Sequence, residues 1–299
     1  MQKKPSYIKL HKLGIIKKRV KGLKEILKNC HLCPHHCGVN RIKGETGICN
    51  SDSRLKIASY GPHYGEEAPL VGNKGSGTIF FSNCSLKCVY CQNYEISQKG
   101  IGKFVKPADL AEIMLNLQER GCHNINFVTP THMVYGIIKA VDIAAEKGLE
   151  IPLVYNTGGY DSVNTLKLLD GIIDIYMPDV KYASNKKAEK YSNAPNYYDI
   201  IKDALKEMHD QVGDLEIVNG IAEKGLLVRH LVLPADIAGT KEIINFLVNY
   251  ISTNTYLNLM EQYYPSFQAD KYPELNKRID YRNFNKLLKF AKEQGLRID

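Results

Sequence analysis

Apolar positions along the chain fall into short strand-like runs that alternate with helical periods. Ile16, Val20, Leu23 and Ile26–Leu27 recur at helical spacing among lysines and predict a helix over 16–28, which Gly14 and Gly22 weaken. The stretch 54–83 reads as short strands and turns, punctuated by Gly61-Pro62, Gly65, Gly72 and Gly75-Ser76-Gly77. It leads into a strand at 78–82. From there the rhythm is regular. A helix over 107–119 opens on Pro107 and Asp109 and stops at Gly121. Then come a strand at 124–128, a helix at 133–147 stopped by Gly148, a strand at 151–155, a helix at 162–169 and a strand at 172–176. Helices near 186–191 and 197–212 precede a strand at 226–231, a mostly helical 235–250, a strand at 256–260 and a last helix over 282–294. Strand followed by helix, repeated, predicts an α/β fold of parallel strands with helices outside them. The six units, counting 78–82 first, are fewer than the eight of a closed barrel.

Composition narrows the class. A chain of 299 residues with 44% hydrophobic content can hold one large domain, or one domain and a small appendage. No apolar run is long enough to cross a bilayer, and no apolar signal core follows the basic N-terminus. Eight cysteines, seven of them in two groups with ligand spacing, point to metal binding in a reducing compartment rather than to disulfides, and so to a cytoplasmic location. The net charge of +8 is uneven: residues 1–28 carry ten Lys or Arg and one Glu, a balance of +9, which leaves −1 for the rest. A basic arm of this kind is either a solvated helix face or a surface for RNA or an acidic partner.

The chemistry is concentrated in the cysteines. Cys84, Cys88 and Cys91 are spaced C-x3-C-x2-C directly after the strand at 78–82. Three thiolates on one loop can each bind one iron of a [4Fe–4S] cube. With no fourth protein ligand at comparable spacing, one iron stays open to a small molecule, as in catalytic rather than structural metal sites. Cys30, Cys33, Cys37 and Cys49, spaced C-x2-C-x3-C-x11-C among Gly and Pro turns, form a second candidate set. Its spacing suits zinc or an iron–sulfur cluster. Cys122 stands alone and reads as a small buried residue.

The loop Cys84-Ser85-Leu86-Lys87-Cys88-Val89-Tyr90-Cys91 resembles the signature of the radical S-adenosylmethionine (SAM) enzymes. The resemblance implies a partial (β/α)6 barrel. It also implies an open iron chelated by the amino and carboxylate groups of SAM, a one-electron cleavage that gives a 5′-deoxyadenosyl radical, and Tyr90 against the adenine. A reductant such as flavodoxin or ferredoxin is implied with it. The expected organisation is a basic helical arm over 1–29, a four-cysteine segment over 30–60, the barrel over 61–265 and a C-terminal helical extension over 266–299.

In barrels of this kind the active site lies where the strands end. The second main strand ends in Thr129 and Pro130, where many family members have Gly-Gly-Glu-Pro to hold the SAM amino group. His132 follows, as a proton donor or as a histidine satisfied by backbone. The third ends in Asn156-Thr157-Gly158-Gly159, suited to ribose or carboxylate recognition, with glycines that let backbone approach a ligand. The fourth ends in Asp179 and Lys181, which share one face of an extended segment. The fifth carries Arg229, whose fork suits the SAM carboxylate, and the sixth Met260 and Tyr263, either of which can close over the adenine. Glu66-Glu67 lines the SAM pocket or faces water.

The segments at Asn156-Thr157 and Met177 with Asp179 resemble those of pyruvate formate-lyase activating enzyme and its relatives. There they help hold a monovalent cation; Asn156 stands where an aspartate is usual. The resemblance runs from about 30 to 265 and implies hydrogen abstraction from a peptide or protein, with a glycyl-radical enzyme as one candidate. Radical modification of RNA or a small molecule is the second reading, and a non-catalytic iron–sulfur or zinc scaffold the third.

Overall fold

The computed structural model describes residues 4–299; the first three residues of the basic arm, Lys3 among them, lie outside the described residues. Ten strands form the sheet: β1 (Leu55–His63), β2 (Ser76–Phe81), β3 (Lys103–Val105), β4 (Ile125–Val128), β5 (Leu153–Thr157), β6 (Ile175–Pro178), β7 (Glu216–Val218), β8 (Ile221–Leu231), β9 (Tyr256–Met260) and β10 (Arg297–Ile298). Their order is β10-β9-β8-β6-β5-β4-β2-β1-β3, with β7 paired to β8. From β2 to β10 neighbours on this path run parallel; β1 and β3 close one edge antiparallel. The path has two ends, so the six parallel strands β2, β4, β5, β6, β8 and β9 make a partial barrel.

Both faces of these strands are covered, which is why Leu153–Thr157 and Ile175–Pro178 are buried throughout. Ile79, Phe127, Tyr155, Tyr176 and Val228 pack in the large core with the helices. On the opposite, concave face Val154, Ile175, Met177 and Leu227 form a smaller apolar cluster closed by Leu70. Strand side chains alternate, so two residues further along each strand the concave face presents Asn156, Asp179 and Arg229. One face of one sheet is thus apolar at its base and polar where the strands end.

The basic arm is part of this body. Gly14, in a left-handed conformation at φ 69°, breaks it into helices Ser6–Lys12 and Ile15–Lys28. Tyr7, Ile16, Leu23 and Leu27 are buried, and Tyr7 donates to the Ile151 carbonyl at 2.9 Å. Lys17, Lys18, Lys21, Lys24 and Lys28 stay exposed.

The expected boundary at 60/61 runs through β1, whose hydrogen bonds place it in the barrel sheet. The C-terminal stretch is more than a helical extension: after the helix Tyr281–Glu293, β10 adds a parallel strand beside β9. The helix expected from 235 begins at Thr240, because Ala235 and Asp236 take left-handed backbone (φ 54° and 50°) in a tight turn. No helix among the described residues is long and apolar enough to cross a membrane.

Candidate functional site

A cavity of about 260 Å³ lies where the parallel strands end. Cys84, Cys88, Tyr90 and Cys91 line one side; Thr129, Asn156, Thr157, Asp179, Lys181, Arg229 and Met260 line the rest. Pro130, expected at the site, does not line the cavity: it is buried and its carbonyl accepts the Met133 N–H at 2.8 Å, starting the turn into the next helix. Tyr263 is also buried away from the cavity, its hydroxyl bonded to the Leu275 carbonyl at 2.7 Å.

The three thiols are free and each has a donor beside its sulphur. Cys84 Sγ accepts the Leu86 N–H at 3.3 Å, Cys88 Sγ accepts the Ser192 hydroxyl at 3.0 Å, and Cys91 Sγ lies 3.1 Å from Ser97 Oγ. Burial pushes the Cys84 thiol up to about 12 and raises Cys88. Deprotonating such thiols takes a metal's positive charge. Among the described residues no three His, Cys, Asp or Glu side chains stand in the arrangement a single ion needs. Ser192 and Ser97 carry no pattern by which the sequence could announce them.

Tyr90 packs edge-on against Tyr182 and Tyr263, with ring centroids 6.4 and 5.9 Å away. The loop bearing the cysteines is pinned by Lys87 and Val89 N–H groups, which donate to the carbonyls of Ser192 and Tyr191 at 2.8 and 2.9 Å.

Across the cavity the charges are paired. Arg229 Nε donates to Asp179 Oδ1 at 2.8 Å, Nη2 to Asn156 Oδ1 at 2.9 Å and Nη1 to Glu66 Oε2 at 3.4 Å, with Glu67 Oε1 4.0 Å from Nε. Lys181 Nζ donates to Asp179 Oδ2 at 2.7 Å. Burial alone would raise the Asp179 carboxyl, but Arg229 and then Lys181 overcome it and hold it down at about 2. Burial raises Glu66 against the pull of Arg229. Glu66 and Glu67 therefore neither line the cavity nor face water; they sit beneath it as counter-charges. The Arg229 guanidinium reaches the cavity with each of its three nitrogens already engaged by a protein oxygen.

Thr157 belongs to a second buried network. Its hydroxyl and those of Thr131 and Tyr155 surround Asp161 at 2.5, 2.8 and 3.0 Å. Thr129 N–H donates to the Asn156 carbonyl at 2.8 Å, and its backbone is left-handed at φ 60°. For a β-branched residue this is a strained conformation, of the kind that gathers at functional sites. His132 bonds backbone through one ring nitrogen: its Nε2 lies 2.8 Å from the Ser82 carbonyl, and burial lowers the ring to about 3, so it stays neutral. His230, next to Arg229, faces the helices and is held between Val180 and Thr240. The glycines at 158 and 159 also make room for protein, and Gly158 lines the cavity. A Cβ at 158 would stand 2.7 Å from Leu86 Cδ1, and one at 159 would stand 2.8 Å from the Asp179 carbonyl.

Residues 78–222 match the model of the radical SAM superfamily. The chain is also 34% identical to an uncharacterised protein of Methanocaldococcus jannaschii, over 97% of this chain and 81% of that protein. The chain belongs to the radical SAM superfamily. As a radical SAM enzyme it takes a [4Fe–4S] cluster and SAM, and needs a reductant and a substrate. The scaffold reading is set aside. Pyruvate formate-lyase-activating enzyme of Clostridium pasteurianum is 25% identical over 74% of this chain and 87% of its own. Among solved structures, Streptococcus suis SuiB bound to the precursor peptide SuiA has a TM-score of 0.51 at 14% identity, covering 72% of this chain. HydG, a maturase of the [FeFe]-hydrogenase, also gives 0.51, at 15% identity over 74%. This chain spans 46% and 50% of those two, and the likeness is one of fold.

Proposed function

We propose that this radical SAM enzyme abstracts a hydrogen atom from a peptide or protein substrate, a glycyl-radical enzyme being one candidate. The observation that carries the reading is the cavity in which three free thiols face Thr129, Asn156, Thr157, Asp179 and Lys181 at the strand ends. The similarity to an activating enzyme over 74% of the chain supports the substrate class.

Cys84, Cys88 and Cys91 would hold the cluster. Bound there, cluster and SAM supply reductive cleavage of the sulfonium and, through it, hydrogen abstraction. The chain's own residues orient and exclude. Tyr90 and Met260 offer flat and soft apolar surface for the adenine. The carbonyls and hydroxyl at Thr129 and Asn156–Thr157 suit the ammonium and ribose. Lys181, bonded to Asp179 through one donor, has two more for the SAM carboxylate. Arg229 holds Asn156 and Asp179 in place, and two of its five N–H groups remain for the same carboxylate. The cation of the activating enzymes has a counterpart here in Arg229 and Lys181, which already neutralise Asp179. A flavodoxin or ferredoxin is the reductant class.

Radical modification of RNA is a second reading, favoured by the exposed lysines of Ile15–Lys28. Deleting residues 1–28 would remove Ile16, Leu23 and Leu27 from the core. Reversing Lys17, Lys21 and Lys24 to Glu is the cleaner variant, and undiminished RNA binding in it would end this reading.

The deciding experiment measures 5′-deoxyadenosine release by anaerobically reconstituted protein given SAM and a strong reductant, alongside Cys88→Ala. Release that needs Cys88, and that rises with a peptide or protein donor, is expected. Absence of SAM binding by fully loaded protein would overturn the proposal.

A further inference from the structure

Cys30, Cys33, Cys37 and Cys49 line one enclosed cavity together with His36, Arg41 and His132. All four thiols are free although they share it. The backbone is built around them. Cys30 N–H donates to the Val39 carbonyl at 2.9 Å, Gly38 N–H returns to the Cys30 carbonyl at 3.0 Å, and His36 N–H donates to the Cys33 carbonyl at 3.1 Å. Ile48 N–H donates to Cys37 Sγ at 3.4 Å. That approach needs Gly47, since a Cβ there would stand 2.6 Å from the same sulphur. His132, which is 2% exposed, lines the same cavity and has an Nδ1 with no hydrogen bond.

The free space decides the class of occupant. It is about 10 Å³, enough for about one water-sized sphere. An iron–sulfur cube is several times larger, whereas a four-coordinate ion replaces only the gap between its ligands. Four thiolates around one ion is the structural zinc arrangement. The thiols do not yet converge on one point.

The same segment grips the loop proposed to carry the cluster. His35, between Cys33 and Cys37, places Nε2 2.8 Å from the Ser85 carbonyl. Asn83 Nδ2 donates to the Asn50 carbonyl and to Ser51 Oγ, both at 3.0 Å, directly after Cys49. His132, which follows β4 and is bonded to this segment through Arg41, places Nε2 by the Ser82 carbonyl. Ser82, Asn83 and Ser85 surround Cys84, so three tethers meet around one ligand. Arg41 donates to the His132 carbonyl at 2.7 Å, and the Thr165 hydroxyl to the Leu32 carbonyl at 2.8 Å, fixing the segment to the barrel.

We infer that Cys30, Cys33, Cys37 and Cys49 bind a single divalent ion of the zinc class, and that this ion holds the Cys84 loop in place through His35, Asn50–Ser51 and His132. The second half rests on Cys84, Cys88 and Cys91 being the cluster ligands. Elemental analysis of anaerobically reconstituted wild type, Cys33→Ser and Cys88→Ser separates the parts. Wild type is expected to hold about one zinc and about four irons per chain. Cys88→Ser should lose the iron and keep the zinc; Cys33→Ser should lose the zinc. About four irons retained in Cys88→Ser without zinc would overturn the ion assignment. Zinc without iron in wild type would instead sink the cluster reading and leave the ion standing. The grip is read by amide hydrogen exchange over residues 84–89 in cluster-free, zinc-loaded protein. Stripping zinc from wild type with a chelator should speed that exchange several-fold, and His35→Ala should do so while keeping its zinc. Unchanged exchange after stripping would overturn the coupling.

Discussion

Arg229 on β8 and Asp179 after β6 are joined twice, once by Nε to Oδ1 at 2.8 Å and once by an isolated backbone bridge. The contact crosses the floor of the cavity, and Glu66 and Glu67 approach the same guanidinium from below. Removing the cation would leave buried carboxylates without compensation. Arg229→Met is expected to lower stability by about 3–5 kcal/mol in urea unfolding. Arg229→Lys should recover only part, because an ammonium cannot reach Asp179, Asn156 and Glu66 together. Adding Asp179→Asn to Arg229→Met should give back part of the loss, since the two sites are coupled. Strictly additive changes would show that the pair is not one unit.

Thr129 holds a conformation that its branched side chain opposes, at φ 60° and at the cavity wall. Thr129→Gly relieves that strain and removes the hydroxyl together. Unfolding should show stability unchanged or raised by up to about 1 kcal/mol, the relief being partly offset by glycine's chain entropy. Calorimetric SAM affinity of the cluster-loaded protein should fall several-fold. A loss of stability with unaltered affinity would mean that the residue shapes the turn and nothing else.

Much of this was legible in the sequence, because the informative residues are close along the chain or in phase along a strand. Cys84, Cys88 and Cys91 sit on one loop. Asn156, Asp179, Arg229 and Met260 follow from strand ends and the two-residue alternation. What the sequence could not convey is partnership across distance. Glu66 lies 163 positions from Arg229, so the counter-charges that the fold brings beneath the guanidinium do not show in the sequence. Ser192 reaches Cys88 from 104 positions away, and His35 reaches Ser85 from 50. Pro130 was misplaced for a local reason: its carbonyl starts a turn, which turns it away from the cavity.

Gly159 tests how closely two site loops must approach. It has φ +79°, and an added Cβ would lie 2.8 Å from the Asp179 carbonyl and 3.0 Å from the Tyr197 hydroxyl. Tyr197 ties those loops, donating to the carbonyls of Gly158 and Asp179 at 2.9 and 2.8 Å. Gly148 is the control, with φ +97° and nothing within 4 Å of its added Cβ. Gly148→Ala should cost about 1 kcal/mol from backbone strain alone. Gly159→Ala should cost about 2–3 kcal/mol and weaken SAM binding, because the carbonyl in the way cannot swing aside. Equal losses in the two variants would mean that the approach is slack.

Two buried aspartates should give stability opposite dependences on pH. Asp179 is held at about 2, below its ordinary 3.8, by Arg229 and Lys181 against the effect of burial. Its contribution is present above the unfolded value and is lost as pH falls through the folded one, from about 4 to 2. Asp174 is the reverse. Burial raises it to about 7, only partly opposed by the Leu153 N–H at 2.9 Å. The folded chain then binds more protons than the unfolded one between about 4 and 7, so stability falls as pH rises through that window and stays reduced above it. The slope should approach roughly 1.4 kcal/mol per pH unit within it. Asp174→Asn keeps an oxygen for the Leu153 N–H and cannot ionise. The variant should lose this slope, being about as stable as wild type near pH 4 and more stable above about 7. Urea midpoints of both proteins across that range decide the matter, and parallel curves would show that Asp174 is ionised in the folded chain throughout.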